Sequence, residues 1–198
     1  MVRLLRRNRW AWLGCGLLAG MVLGSLWPSI PLHGDTTDRS ENIIMATGFV
    51  DEGIEAVFFL DSLTGLLRAA VPSLQRMQDY QAMWEANPGA DMMNAIQLIN
   101  AAAAKATGAK GAPPRPAIQP PQSPRFVMVT GWMDVRQGSS RMKPSRCLVH
   151  VAEANTGIVM SYLLPWSPQM HNSNQPLRMP MQLWAAQQFS TAVIRAQE

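Results

Sequence analysis

One stretch of this chain is written twice, and a duplicated unit limits the possible folds more tightly than composition does. Met45-Ala46-Thr47-Gly48-Phe49-Val50-Asp51 returns as Met128-Val129-Thr130-Gly131-Trp132-Met133-Asp134. Residues 56–65, ending Asp61-Ser62-Leu63-Thr64-Gly65, return as 148–157, ending Glu153-Ala154-Asn155-Thr156-Gly157. A third apolar run follows each glycine, 66–71 before Pro72 and 158–164 before Pro165. Order, residue class and closing proline agree. The second copy differs chiefly by a longer, basic first loop at 136–146.

The runs are four to eight residues long, rich in Val, Ile, Phe and Met, and bounded by turn residues, so each copy reads as a three-stranded meander. The turns carry a mechanism. Gly65 and Gly157 can take a positive φ before the return strand, and Asp61 or Glu153 can accept backbone N–H bonds at the turn entrance. Ala56, Phe58 and Leu60 on one face and Val57 and Phe59 on the other mark a buried central strand. The expected arrangement is two meanders, 43–72 and 126–165, related by a pseudo-twofold.

Between the copies the period changes. Ser73 can cap a helix to about Ala86, with Leu74, Met77, Tyr80 or Gln81, and Trp84 on one side. Pro88-Gly89 breaks it, and 91–105 reads as a second helix with Met92, Ile96, Ile99 and Ala103 in a stripe, ended by Gly108. Residues 112–124 hold six prolines and read as an extended linker. Residues 181–197 read as a helix with Trp184 and Gln188 on its inner face. The fold class is therefore α+β. An N-terminal transmembrane helix precedes two tandem antiparallel β-meanders, with a helical insert between them and a C-terminal helix after them.

The formal charge is +4, but four of the 17 Lys and Arg lie in the first nine residues, and the others balance the 13 Asp and Glu. The basic character is thus local, and no nucleic-acid partner is expected. After Arg9 come 18 uncharged residues, Trp10 to Trp27, closed by Pro28. As a helix they would span about 27 Å, close to the hydrocarbon thickness of a bilayer. Trp10, Trp12 and Trp27 sit where an aromatic belt would place them, and the arginines hold the N-terminus in the cytoplasm. Residues 1–28 therefore read as a basic N-terminus and uncleaved single-pass anchor in the cytoplasmic membrane, with a signal peptide cleaved near Ser25 as the competing reading. Residues 29–42 read as a linker, and 43–198 as an exported domain. Gly16, Gly20 and Gly24 line one face of the anchor as small-xxx-small steps. Cys15 lies in the anchor and Cys147 in the exported part, so the domain folds without an internal disulfide.

Candidate chemistry is sparse. Asp51, Glu52 and Glu55 form the densest acidic group and could serve acid–base work or hold a ligand. Asp134 stands at the repeat position of Asp51, which favours a turn or strand-end role for both. His150 stands where the first copy has Phe58, and His171 lies in a polar stretch with Asn172 and Asn174. No two histidines share a metal-ligand spacing, and no phosphate-cradling loop or dinucleotide fingerprint is present. No catalytic residue, metal or cofactor is expected. The basic loop with Arg136, Arg141, Lys143 and Arg146 reads as solvated. Two function classes remain: a membrane-tethered, non-enzymatic interaction or assembly protein, and a small-ligand or weakly enzymatic domain using the carboxylates near Asp51. Residues 43–50 contain no charge or proline to blunt a sheet edge, so homo-oligomerisation through edge strands or the anchor is expected.

The blocks 46–48 with 55–71, and 127–131 with 149–157 and 162–166, resemble short membrane-anchored proteins of planctomycete bacteria. The resemblance covers about two thirds of the chain and leaves out residues 75–121. That family has no established activity, so the resemblance implies compartment and architecture alone.

Overall fold

The computed structural model describes residues 37–40, 42–76, 78–107, 116–134 and 141–190. The expected anchor with Gly16, Gly20 and Gly24 lies outside the described residues, as do Cys15, His33 and Arg136. Among the described residues no helix is long and apolar enough to cross a membrane. The fold is α+β, mostly sheet with few helices.

Among the described residues ten strands form two sheets. In chain order they are β1 (Thr37–Arg39), β2 (Ile43–Asp51), β3 (Ile54–Asp61), β4 (Leu66–Pro72), β5 (Tyr80–Ala86), β6 (Phe126–Trp132), β7 (Lys143–Glu153), β8 (Ile158–Trp166), β9 (Leu177–Pro180) and β10 (Gln182–Gln188). Among the described residues two helices interrupt them, α1 (Pro88–Thr107) after β5 and α2 (Pro168–Asn172) after β8. The larger sheet runs β1-β2-β3-β4-β5-β9 and the smaller β10-β8-β7-β6. Neighbours are antiparallel except β5 and β9, which are parallel. The first copy is the consecutive meander β2-β3-β4 of the larger sheet, the second β6-β7-β8 of the smaller.

The two sheets share one apolar core, including Phe58, Leu60, Leu67 and Trp84 from the first and Met128, Val149, Met160 and Tyr162 from the second. They approach most closely at Gly48. A Cβ there would stand 2.5 Å from Cys147 Sγ and 2.9 Å from Phe58, so only hydrogen fits. Beside it the Thr130 hydroxyl donates to the Thr47 carbonyl at 2.6 Å. One end of the core is closed by α1, through Met92, Ala95 and Ile96. Tyr162 ties this helix down by donating its hydroxyl to Asp91 at 2.9 Å. Burial and then the Asp91 carboxylate raise the Tyr162 pKa well beyond its usual value, so the hydroxyl keeps its proton and stays a donor.

The two copies bury opposite faces. Ala46, Phe58 and Leu67 face the core in the first copy, yet their repeat partners Val129, His150 and Val159 face away from it. Conversely Met45 is 45% exposed while its partner Met128 is 2% exposed. The inversion reaches the turn, where Asp61 is on the outside and Glu153 is fully buried. A twofold that superposed the copies would bury equivalent residues alike, so the expected pseudo-twofold is corrected on this point. The strand order repeats; the buried face does not. Because side chains alternate along a strand, a change of phase by one residue moves every one of them to the other side.

The helix expected over 91–105 is present within α1, but the other two helical expectations fail. The expected helix over 73–86 is instead a loop followed by β5. Ala82 and Trp84 alternate into the core, and the free edge of β4 gains a full ladder of partners from Leu67↔Ala86 to Pro72↔Tyr80. Pro88 opens α1 rather than breaking a helix. Asn87 caps it, its Oδ1 accepting from Ala90 N at 2.9 Å, and a proline in the first turn loses no intrahelical bond. The expected C-terminal helix over 181–197 is strand at 182–188, paired along the open side of β8 with a bulge at Trp184. Met181 alone separates β9, in one sheet, from β10, in the other. The described part of the proline-rich linker is extended and pinned by Asn100. Its side chain donates to the Ile118 carbonyl at 2.9 Å and accepts from the Ile118 N–H at 2.8 Å.

Candidate functional site

Asp51 ends β2 and sits half-buried at a corner where both sheets meet. Its Oδ2 accepts from Trp166 Nε1 at 3.0 Å, and its Oδ1 accepts from the Glu52 N–H at 2.9 Å and lies 3.9 Å from Arg146 Nε. Trp166 closes β8, so this carboxylate joins the first copy to the end of the second. Glu52 is exposed in the tight β2–β3 turn completed by Gly53 at φ +69°. Glu55 is exposed on β3 and lines a cavity of about 400 Å³ with Phe49, Ile54, Val71, Pro72, Leu74 and His171. Asp134 follows β6 and is exposed. The three carboxylates at 51, 52 and 55 therefore do different things: Asp51 holds the corner, Glu52 faces solvent, and Glu55 stands at a cavity.

Sequence reading placed His171 in a polar loop, but it is only 6% exposed. Ser167 caps α2, accepting from Met170 N, and Pro168 starts the helix; this pair of residues was the available signal. The turn drives the imidazole inward against the Trp166 ring, with centroids 5.0 Å apart. Trp166 in turn meets Trp84 at 6.0 Å, and Trp84 Nε1 donates to the Pro165 carbonyl at 2.9 Å. His171 Nδ1 lies 2.9 Å from Gln81 Oε1. The amide of Gln81 is oriented because its Nε2 donates to the carbonyls of Gln175 and Met170. The oxygen facing the ring is thus an acceptor, which assigns the proton to Nδ1. Burial lowers the His171 pKa, with the Asp51 charge acting in the opposite direction. The ring is a neutral imidazole whose Nε2 carries a lone pair. That Nε2 is buried and has no hydrogen-bond partner in the protein.

A different kind of surface lies at the sheet edges. The edge expected at 43–50 is covered over Ile44, Met45 and Ala46, where β1 pairs with β2. The outer strands of the smaller sheet are β6 and β10, and among the described residues β10 has β8 as its one strand neighbour. Its sequence, Gln182-Leu183-Trp184-Ala185-Ala186-Gln187-Gln188, contains no charge and no proline. Leu183 is 43% and Trp184 49% exposed, and Phe189 follows at 76%. By contrast β9 carries Arg178 and Pro180, and β1 is three residues long.

The remaining sequence candidates lie elsewhere in the fold. His150 is half-buried on β7, where its Nδ1 lies 2.8 Å from Ser161 Oγ. Cys147 is buried against β2, and its Sγ lies 3.6 Å from the Leu148 carbonyl. Lys143 and Arg146 belong to β7 rather than to a loop, while Arg141 is exposed before it. Among the described residues no group of three or more His, Cys, Asp or Glu is placed to hold a metal. No family model, curated protein or solved structure matches the chain.

Proposed function

We propose that this chain is an exported, membrane-anchored, non-enzymatic assembly protein that pairs with a second copy of itself through β10. The observation that supports it is the uncharged, solvent-exposed edge strand Gln182–Gln188 with Leu183 and Trp184 uncovered. Strand edges of this kind offer unpaired N–H and C=O groups, and soluble proteins usually blunt them with Lys, Pro or extreme shortness. The outer strands of the larger sheet, β1 and β9, use those devices, whereas β10 does not. A second copy suits the edge. Antiparallel pairing of a strand with itself is isologous, and an uncharged strand brings no like-charge repulsion to that contact. An anchor at residues 10–27, with its Gly16, Gly20 and Gly24 face, would raise the effective concentration of neighbours in the membrane plane. The planctomycete family resemblance belongs to the same reading, as does descent of the two meanders from one unit now stacked front to back.

Light scattering on the full chain in detergent tests this reading. A dimer is expected at micromolar concentration, with monomers from the Leu183→Lys and Trp184→Lys double variant. A wild-type monomer, or a dimer that survives both lysines, would sink it.

A further inference from the structure

We infer that the outward face of the larger sheet is a docking surface for a second copy of this chain, which presents the outward face of its smaller sheet. The duplication supplies the template. Met45, Val57, Phe59 and Ala70 look outward from the larger sheet, Met45 exposed and the others half-buried. Their repeat partners Met128, Val149, Val151 and Tyr162 are all buried in the contact between the sheets. The smaller sheet turns Val127, Val129, His150 and Val159 outward. These are the repeat partners of Ile44, Ala46, Phe58 and Leu67, which form the other side of that contact. The two uncovered faces are therefore second versions of the two that already pack together. They lie on opposite sides of one molecule, so a neighbouring chain is what brings them into contact. Such a contact is heterologous, and repeating it builds an open stack.

The chemistry of the faces suits this occupant. β3 is apolar on both sides, the pattern of a strand buried on both, yet within one chain Val57 and Phe59 are only partly covered. The outward residues of the smaller sheet include no acid, Lys or Arg among Val127, Val129, Gly131, His150, Ala152 and Val159. On the larger sheet Arg68 is matched by Glu85 at 3.0 Å. Where the sheets approach most closely, Cys147 meets Gly48 beside Phe58. The repeat positions put Glu55 of one copy over Gly131 and beside His150 of the next. Ser161 holds His150 Nδ1 at 2.8 Å, and Nε2 is the nitrogen nearest the space above Gly131, so a carboxylate meets a ring N–H there. Four strands about 4.8 Å apart and about seven residues long make a face of roughly 450 Å², so the contact buries about 900 Å² in all. That area is below what a permanent dimer needs, and His150, Ala152 and Ser161 stand where the inner contact has Phe58, Leu60 and Ala69. A Kd on the order of 100 µM leaves the stack dissociated in dilute solution and formed at the millimolar effective concentrations of tethered chains.

Stacking is independent of pairing through β10, so its test removes that edge. The full chain carrying Leu183→Lys and Trp184→Lys is followed in detergent by sedimentation equilibrium, from micromolar concentration to about 0.5 mM. Association that continues past the dimer as concentration rises is expected. Met45→Lys and Val129→Lys, added singly to that chain, change exposed residues on opposite faces, and each should leave monomers throughout the range. Their equimolar mixture should form a 1:1 pair that grows no further, because each variant supplies the face that the other has lost. A chain with both faces intact that stays monomeric or stops at a dimer, association that survives either added lysine, or a mixture that stays monomeric would each overturn the assignment.

Discussion

The two meanders use matching residues in the same order, yet one packs its front on the core and the other its back. Gly48 and Gly131 show the result at a single pair. At Gly48 a Cβ would collide with Cys147 and Phe58, whereas at Gly131 it would rest 3.5 Å from His150, an ordinary contact. Gly65 and Gly157 share φ near +65°, but a Cβ at the first would rest 3.5 Å from Gly89, an ordinary contact, while at the second it would stand 2.6 Å from Ser190. Asp61 accepts from Leu63 and Thr64 at the surface. Glu153, one methylene longer, is buried and accepts from Arg125, Asn155 and Thr156 N–H groups and from the Thr156 hydroxyl. A repeated sequence therefore sets turn shape and strand order, while the energetic weight of each repeated residue depends on which face its copy buries.

That contrast can be broken pair by pair. The largest difference is expected at the turn acids. Glu153→Ala leaves four donors without an acceptor in the interior and should cost about 3–5 kcal/mol, seen as a large fall in the urea midpoint; Asp61→Ala should barely move it. Next come the turn glycines. Gly157→Ala adds left-handed strain of ~1–2 kcal/mol to a 2.6 Å approach to Ser190 Cβ, so its melting temperature should drop clearly further than that of Gly65→Ala. Gly48→Ala should cost about 1–3 kcal/mol by overpacking, while Gly131→Ala stays within error; equal losses at the two sites would refute the opposite-face packing.

The smallest effect is the pH response. Burial lowers the pKa of both His150 and His171 below the usual 6.5. Above that value both states are neutral and the stability is complete. As pH falls below 6.5 the unfolded chain takes up protons that the folded chain refuses, so stability declines toward the folded pKa values, by at most about 1.4 kcal/mol per pH unit for each histidine. His150→Phe makes the second copy resemble the first and should remove its share of the slope in melting temperature between pH 7.5 and 5. Asp61 responds in a lower window. Bonds from Thr64 and Leu63 hold its pKa below 3.8, so its contribution disappears only as pH falls through that region.

Strand positions and turns were legible in the sequence because each is a local property: period, a Gly that must turn, an acid two residues before the loop centre. The buried face was not, because β3 is apolar on both sides and either could have been chosen. Residues 80–86 and 182–188 looked helical since Trp84, Trp184 and Gln188 recur at helical spacing. What decides them is the open ladder of β4 and of β8, which is a property of the assembled sheets. At the candidate site Asp51 was found with the turn role its repeat partner suggested, though its bond to Trp166 spans 115 positions and has no local signature. The cavity needed His171, which Ser167-Pro168 turns inward; its polar neighbours Asn172 and Asn174 pointed the reading toward solvent.

Met181 carries the chain from a strand of one sheet directly into a strand of the other, its own N–H held by the Glu85 carbonyl at 2.8 Å. A strap with no slack makes the two sheets one mechanical object. Neither can lose its order while β9 and β10 both keep their ladders, so the amides of β3 and of β7 should exchange with deuterium through a common opening, at a single free energy. Cutting the strap by ending the chain at Pro180 should split that shared opening into two, with the smaller sheet exchanging first.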